Sequence, residues 1–504
     1  MAVAKICGIE TEYGIVQRGV PESNPISASS LLINAYITEL ARRGTGYGPA
    51  PKAAWDFEDE SPGNDARGMP NVGSLAPEIE THLVNAVLTN GARYYVDHAH
   101  PEISTPECRD AMGVVLWDTA AERILVESMA AARALLPEGQ EIVVYKNNSD
   151  GKGNSYGCHE NYLMDRQVPF GQVVVHAMAH FISRQIFVGA GKVGTEMPGA
   201  RRDEVPFQLT QRADFFEEEV GLETTLKRPI VNTRDEPHSD AQKYRRLHVI
   251  CGDANRSEVA TFLKVGTTAI VLAMVEDQAL PREFVFVSPV AAMRAVSVDV
   301  DLQRTYELVD GSRVRALDIQ WELLGAARAY ADSHGLDAVG AETGAIVLQR
   351  WEEVLTGLER DPMSLAHQLD WVAKYRLLDA YRERHGLDWS DARLAAMDLQ
   401  YHDIRPERSL ADRVGLERLT TDAEAVRAMV EPPTDTRAYF RGKCLQRWPG
   451  DIVAANWDSL VFDVGQEPLR RVPMMEPSRG TVDHVGRLLE ACETPAQLLE
   501  QLGS

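Results

Sequence analysis

Arg93-Tyr94-Tyr95-Val96-Asp97, followed by His98-Ala99-His100-Pro101-Glu102, is the stretch on which the fold turns. Its alternation is that of a β-strand, which puts Arg93, Tyr95 and Asp97 on one face and leaves Tyr94 and Val96 for the other. A buried sheet does not ordinarily carry an arginine, a phenol and a carboxylate in line. With Glu102 five residues beyond Asp97, such a face can hold a polyphosphate, a divalent ion and a reacting carbonyl.

The same pattern recurs outward from there. Gly8-Ile9-Glu10-Thr11-Glu12-Tyr13-Gly14 aligns Glu10 with Glu12 between two glycines. Cys158-His159-Glu160-Asn161 pairs His159 with Asn161, and Arg246-Leu247-His248 pairs Arg246 with His248. One such segment is ordinarily a solvated edge strand. Four in the first half of the chain, rich in oxygen and imidazole donors, predict a sheet with one working polar face.

Composition bounds the rest. The 504 residues are 44% hydrophobic and 25% charged, enough for one large domain and a small one. The formal charge of −23 argues against nucleic acid as a partner. We find no uninterrupted apolar run of membrane-spanning length, and MAVAKICGIETEYG lacks the apolar centre of a signal peptide, so neither a membrane nor export is expected and the cytoplasm is the expected location. The six cysteines are scattered without zinc-type spacing and read as reduced, buried thiols. His176 and His180 stand four apart in an apolar helical stretch, 172–189, but Ala177 stands where a zinc motif needs glutamate, so they read as core or interface residues. Helical spacing governs 315–384 and 482–502, strand character 451–464, and Glu431-Pro432-Pro433-Thr434 marks a boundary.

The segments GIETEYG, RYYVDHAHPEISTPE, NNSDGKGNSYGCHENY, RPIVNTRDEPHSDAQKYRRLHVICGDANRSE and HQLDWVAKYRLLDAYRER closely resemble the family of Pup ligases and Pup deamidases/depupylases of actinobacteria, over residues 5 to about 465. Pup is a small acidic prokaryotic ubiquitin-like protein. The resemblance implies an α+β fold like that of glutamine synthetase and the carboxylate-amine ligases: a curved antiparallel sheet with the active site on its concave face, backed by helices. It implies a catalytic domain over 1–430 and a small C-terminal domain over 431–504.

Two features favour the deamidase/depupylase branch. A glycine- and proline-punctuated, acidic-centred insertion lies at about 44–77, and the spacing Asp97 to Glu102 is the shorter one of that branch. The implied function is hydrolysis of the C-terminal glutamine amide of Pup to glutamate, and of the isopeptide between Pup and protein lysines, with ATP and Mg2+ as cofactors. The ligase reaction, a small-molecule carboxylate-amine ligase and a non-catalytic Pup-binding adaptor are the alternatives.

Carried across residue by residue, the family's roles give Asp97 as the catalytic carboxylate, as nucleophile or as base for water. Glu10, Tyr95, Glu102, His159 and His248 would surround magnesium; Gly8, Glu10, Glu12, Arg93, Ser104, Thr105, Asn161, Ile250 and Trp457 would meet the nucleotide. An acidic substrate on an acidic body needs a local basic groove, for which Arg201, Arg202, Arg212, Arg234 and Arg245 are the candidates. Amide hydrolysis runs downhill, so the nucleotide is expected to serve as fixed charge and not as a reagent used once per turnover.

Overall fold

In a computed structural model, residues 1–43, 53–58, 60–68, 83–201 and 204–503 are described. The core of the site is a six-stranded antiparallel sheet of β1 (Cys7–Glu12), β2 (Asn85–Val87), β3 (Arg93–Asp97), β4 (His100–Ser104), β5 (Cys158–Asp165) and β6 (Tyr244–Val249), in the order β6-β5-β1-β4-β3-β2. The polar alternation in the sequence therefore becomes one continuous surface across neighbouring strands.

The other face explains why the strands lie this way. Ile9, Tyr94, Val96, Ile103, Tyr162, Met164, Leu247 and Val249 point away from the polar face into two apolar clusters. One cluster takes in helix α1 (Pro25–Arg43) and helix α2 (Ala111–Arg133), the other α3 (Phe170–Ser183) and α4 (Glu258–Glu276). A one-residue slip in any strand would bury carboxylates and expose isoleucines, so the hydrophobic pattern pins the register. Helix starts are capped by side chains that satisfy otherwise orphaned amides: Asp110 accepts from Gly113 N at 3.0 Å, and Ser257 from Ala260 N at 3.0 Å.

Helix α4 is long and apolar enough to cross a bilayer, yet its whole apolar window is enclosed by the fold, as befits the central core helix. His180 is fully buried, with Nε2 3.0 Å from Thr268 Oγ1, so that histidine of the apolar stretch lies in the core. Behind the sheet Glu160 and Arg184, both essentially unexposed, form a bidentate pair at 2.6 and 2.8 Å, and the Tyr162 hydroxyl donates to Glu160 Oε2 at 2.6 Å. This pair holds the back of the strand whose front carries His159 and Asn161.

Strands β7 (Ile452–Ala455), β8 (Ser459–Phe462) and β9 (Arg470–Pro473) form a second sheet whose edge is a parallel strand from far upstream, Ala54–Trp55. Its apolar cluster joins Trp55 and Val87 to Phe440, Ile452, Leu460 and Phe462. Of the acidic insertion, Ala54–Trp55 is thereby built into the C-terminal sheet, while Asp65 bridges Arg234 instead; apart from 53–58 and 60–68, the stretch 44–77 falls outside the described residues.

Candidate active site

On the polar face Glu10 of β1 stands directly between Ser104 of β4 and His159 of β5, while Tyr95 of β3 and Glu12 of β1 both lie opposite Glu102. Two groups of donors result: Glu10 with His159 and His248, and Glu12 with Asp97 and Glu102, the donor atoms of each lying within 4.8 Å of one another. Glycine at 157 makes room for the first group, because a Cβ there would stand 2.2 Å from His159 Nε2. The same residue's amide holds the second, donating to Glu12 Oε1 at 2.8 Å.

Asn161 ties the first group together, donating to Glu10 Oε1 at 2.7 Å and offering Oδ1 to His248 Nδ1 at 3.0 Å and to Arg246. In the tautomer that donates from Nδ1, the His248 Nε2 lone pair is left for a cation. That nitrogen is buried and has no hydrogen-bond partner among the described residues. Burial, reinforced by the Arg246 charge, keeps the His248 ring well below the usual imidazole range, hence neutral. Burial would raise Glu10, but the His159 ring, 3.7 Å from its Oε2, and the fixed charge of Arg246 hold it well below the ordinary carboxylate range. A carboxylate beside two imidazoles, one with an orphaned lone pair, fits a divalent ion.

The second group is unevenly charged. Burial, then the charges of Asp97, Glu12 and Glu10, push Glu102 well above the usual range. Asp97 goes the other way: against burial, the hydrogen bond and charge of His98, then His159 and Arg93, bring it below. Neighbouring carboxyls driven apart in this way divide into a charged one and a proton-holding one. Asp97 is the accessible member, 38% exposed at the end of β3, with Oδ2 3.0 Å from His98 Nδ1. His98 occupies the left-handed region at φ 51° in the two-residue connection to β4, a conformation that favours glycine and here aims the ring back at Asp97.

Arg93 is clamped. Its guanidinium lies 4.0 Å from the Trp55 ring and 3.9 Å from the Tyr95 ring, and Nε donates to Asn85 Oδ1 at 3.0 Å. Trp55 in turn meets Trp457 edge-on at 5.3 Å and donates to Glu60 Oε1 at 2.6 Å. The Tyr95 hydroxyl lies 3.4 Å from Ser104 Oγ, and burial keeps it a neutral phenol. Trp457 lies where an open charged cleft, with Arg93, Asp97, Arg234 and Arg246 on its walls, meets an apolar recess formed by Ile6, Gly8, Thr105, Leu163, Pro237 and Pro477.

Most expected site residues thus converge, but several arginines and one apolar residue do not. Arg245 lies on the back face, over Phe170 and donating to Val168 O at 2.9 Å, because it is one residue out of phase with Arg246. Arg201 is exposed on a turn beyond the sheet, and Arg202 falls outside the described residues. Arg212 is 1% exposed and so is no surface groove residue, whereas Arg234 does line the cleft. Ile250 is wholly enclosed in the apolar core, so its side chain meets no cleft ligand.

Other contributors were not singled out as site residues: Arg246, His238, and the Glu107–Arg437–Arg441 cluster. Glu107 accepts from Arg437 Nε at 2.6 Å and from Arg441, whose Nη1 also donates to the Trp457 carbonyl at 3.0 Å. Against burial, those two guanidinium charges draw Glu107 down to about 2. Arg246 announces itself by its alternation with His248; the Glu107 cluster has no local signature, its partners being 330 and 334 residues away.

Comparison with known proteins agrees with this geometry. The family model described as Pup-ligase protein matches residues 5–461. A depupylase of Acidothermus cellulolyticus is 52% identical over 99% of both chains. The Pup ligase PafA in complex with Pup superposes with a TM-score of 0.78 at 28% identity, over 99% of this chain and 94% of that one. PafA in complex with ADP superposes with a TM-score of 0.72 at 34% identity, over 81% and 89%. The chain, with an antiparallel sheet whose charged face carries both donor groups, belongs to the family of Pup-ligase proteins.

Proposed function

We propose that this protein hydrolyses the side-chain amide of the C-terminal glutamine of Pup to glutamate and cleaves the isopeptide bond between Pup and protein lysines. The observation that carries the reading is Asp97, a charged and accessible carboxylate at the rim of the donor-lined cleft, in a chain 52% identical over 99% of its length to a depupylase but 40–41% identical, over 81% of it, to Pup ligases. Glu10, His159 and His248, with Glu12, Tyr95 and Glu102 beside them, would hold magnesium. Gly8, Ser104, Thr105, Asn161, Arg93 and Trp457 would receive ATP. Bound magnesium nucleotide supplies fixed charge that polarises the reacting carbonyl and is not used up stoichiometrically.

Asp97 does the rest. As nucleophile, its carboxylate forms a C–O bond to the side-chain carbonyl carbon while the C–N bond breaks and the amine leaves with a proton taken from solvent; water then cleaves the resulting anhydride and restores the carboxylate. As base, it takes a proton from water while that oxygen forms the C–O bond. Both routes yield Pup ending in glutamate and either ammonia or the freed lysine. Six buried, unbridged cysteines support action in the reducing cytoplasm. The separate apolar cluster around Ile452 and Phe462 supports reading 431–504 as a small C-terminal unit attached to a catalytic domain over 1–430.

The test is mass spectrometry of Pup ending in glutamine after incubation with the protein, magnesium and ATP, beside Asp97→Asn. A gain of about one mass unit that vanishes in the variant supports the reading. Attachment of Pup ending in glutamate to a lysine substrate, with no change in the glutamine form, would overturn it.

A further inference from the structure

Whichever way Asp97 acts, an amine leaves, and an amide nitrogen departs only with a proton added to it. The substrate's shape fixes where that bond breaks. The lysine of an isopeptide belongs to a folded protein that cannot enter the cleft, so its nitrogen lies on the open side of Asp97, at the rim. His98 stands there. It lines the charged cleft, its side chain is 63% exposed, and its Nδ1 lies 3.0 Å from Asp97 Oδ2. A charged carboxylate can only accept, so Nδ1 donates this bond and the proton available for transfer is the one on Nε2. The departing nitrogen sits on the carbon that Asp97 or its water attacks, which puts a ring held about 3 Å from the carboxylate within hydrogen-bond reach of it.

The backbone agrees with such a use. His98 is held at φ 51°, a conformation that is costly for a histidine and that gathers at functional sites. Neighbouring imidazoles and acids are engaged elsewhere. The His100 ring packs on Tyr156 at 4.3 Å with Nδ1 3.7 Å from Glu12 Oε2, His159 belongs to the cation group, and Glu102 is 2% exposed.

We propose that His98 is the general acid that hands its proton to the departing amine, a second catalytic residue beside Asp97. This role rests on the proposed amidohydrolase reading. With Asp97 as nucleophile, the C–N electron pair passes to nitrogen as nitrogen takes the Nε2 proton, and the neutral amine departs from the anhydride. Water then bonds to the carbonyl carbon and gives one proton back to Nε2 while the C–O bond to Asp97 breaks. The carboxylate and the charged ring are restored, and the glutamate of Pup is released as its acid. With Asp97 as base for water, the same transfer expels the amine and solvent recharges the exposed ring.

The experiment compares two substrates, each with magnesium and ATP. One is Pup joined through its terminal glutamyl side chain to Nε of lysine; the other carries a 4-methylumbelliferyl ester on the same carbonyl, whose phenolate leaves without a proton. His98→Asn is the principal variant, because an asparagine amide still donates to Asp97 and asparagine tolerates the left-handed region. Its kcat/KM is expected to fall about 100-fold or more for the lysine conjugate and less than about 10-fold for the ester, with a melting temperature close to the parent's. The same split is expected in His98→Gly, which relieves the backbone, and there added imidazole is expected to restore cleavage of the conjugate about 10-fold or more. A residue that merely oriented Asp97 would lower both substrates alike, so a split smaller than about 10-fold would overturn the proposal. Failure of the parent to cleave the conjugate or to deamidate Pup ending in glutamine would instead overturn the amidohydrolase reading.

Discussion

Replacing Gly157 by alanine should separate cation binding from folding. The added methyl would stand 2.2 Å from His159 Nε2, 2.7 Å from Cδ2 and 2.8 Å from Cε1, so the ring must retreat by at least about 1 Å to reach ordinary contact. It cannot retreat towards Glu10 or His248, whose Oε2 and ring centroid are 3.7 and 4.9 Å away. Nor can the backbone of 157 move, since its amide holds Glu12 Oε1 at 2.8 Å. Gly157 is not among the glycines at positive φ, so alanine adds no backbone strain and the ring swings towards the cleft. Metal sites tolerate about 0.2 Å of error in ligand distance, and disturbing a ligand's support costs roughly 10–100-fold in affinity. Initial rates measured against free magnesium should therefore show half-saturation raised about 10–100-fold, with most of the saturating rate retained and a melting temperature close to the parent's. A half-saturating concentration within about threefold of the parent's would refute the assignment of His159 to the cation.

Trp55→Ala removes one wall of the Arg93 clamp and should raise the KM for ATP about 2- to 30-fold, the equivalent of a cation–π contact of about 0.5–2 kcal/mol; an unchanged KM would mean that Arg93 needs no such support. Arg184→Met leaves Glu160 charged and enclosed, and should cost about 3–5 kcal/mol in urea unfolding, while adding Glu160→Leu should recover much of the loss. If the double variant is the less stable of the two, the pair is a net stabiliser and the prediction fails. His180 is held well below the imidazole range by burial, then by the Arg184 charge. Its folded pKa therefore lies below the unfolded value of about 6.5, the unfolded chain binds more protons, and stability falls as pH drops beneath that value, by up to about 1.4 kcal/mol per pH unit. Melting temperatures at pH 7.5 and 5.5 should differ less for His180→Gln than for the parent.

The strands of the site were legible because alternation is a local property: Glu10, Arg93, Tyr95, Asp97, His159, Asn161 and His248 all emerge on the face that two-residue spacing assigns them. The same rule separates Arg246 from Arg245, and treating the basic residues as one groove ignored it. Arg212, also placed in that groove, is enclosed, for a reason spacing cannot show. Nothing periodic marks a cation that the fold encloses, since its neighbours Glu12 and Asp253 come from distant segments. Nor does spacing reveal that Trp55, on an insertion, would reach Arg93, or that Arg441 would brace the Trp457 backbone. Those contacts depend on how the C-terminal sheet docks, which is a property of the whole chain. Helix α4 shows the converse: its apolarity is visible in sequence, but only its surroundings tell a core helix from a membrane span.

The interleaving of two donor groups across adjacent strands also limits how such a protein can change over time. Glu10 and Glu12 belong to different groups yet share a strand, so inserting or deleting one residue in β1 would send both into the core and bring Ile9 and Thr11 to the surface of the cleft. The strands can be inherited only as a block. New substrates and new reactions must instead arise through the connections: the two residues after Asp97, the insertion that lays Trp55 on Arg93, and the distant C-terminal sheet that it joins. Related chains that perform opposite reactions on one small protein are expected to differ at these edges, while the inner strands remain interchangeable.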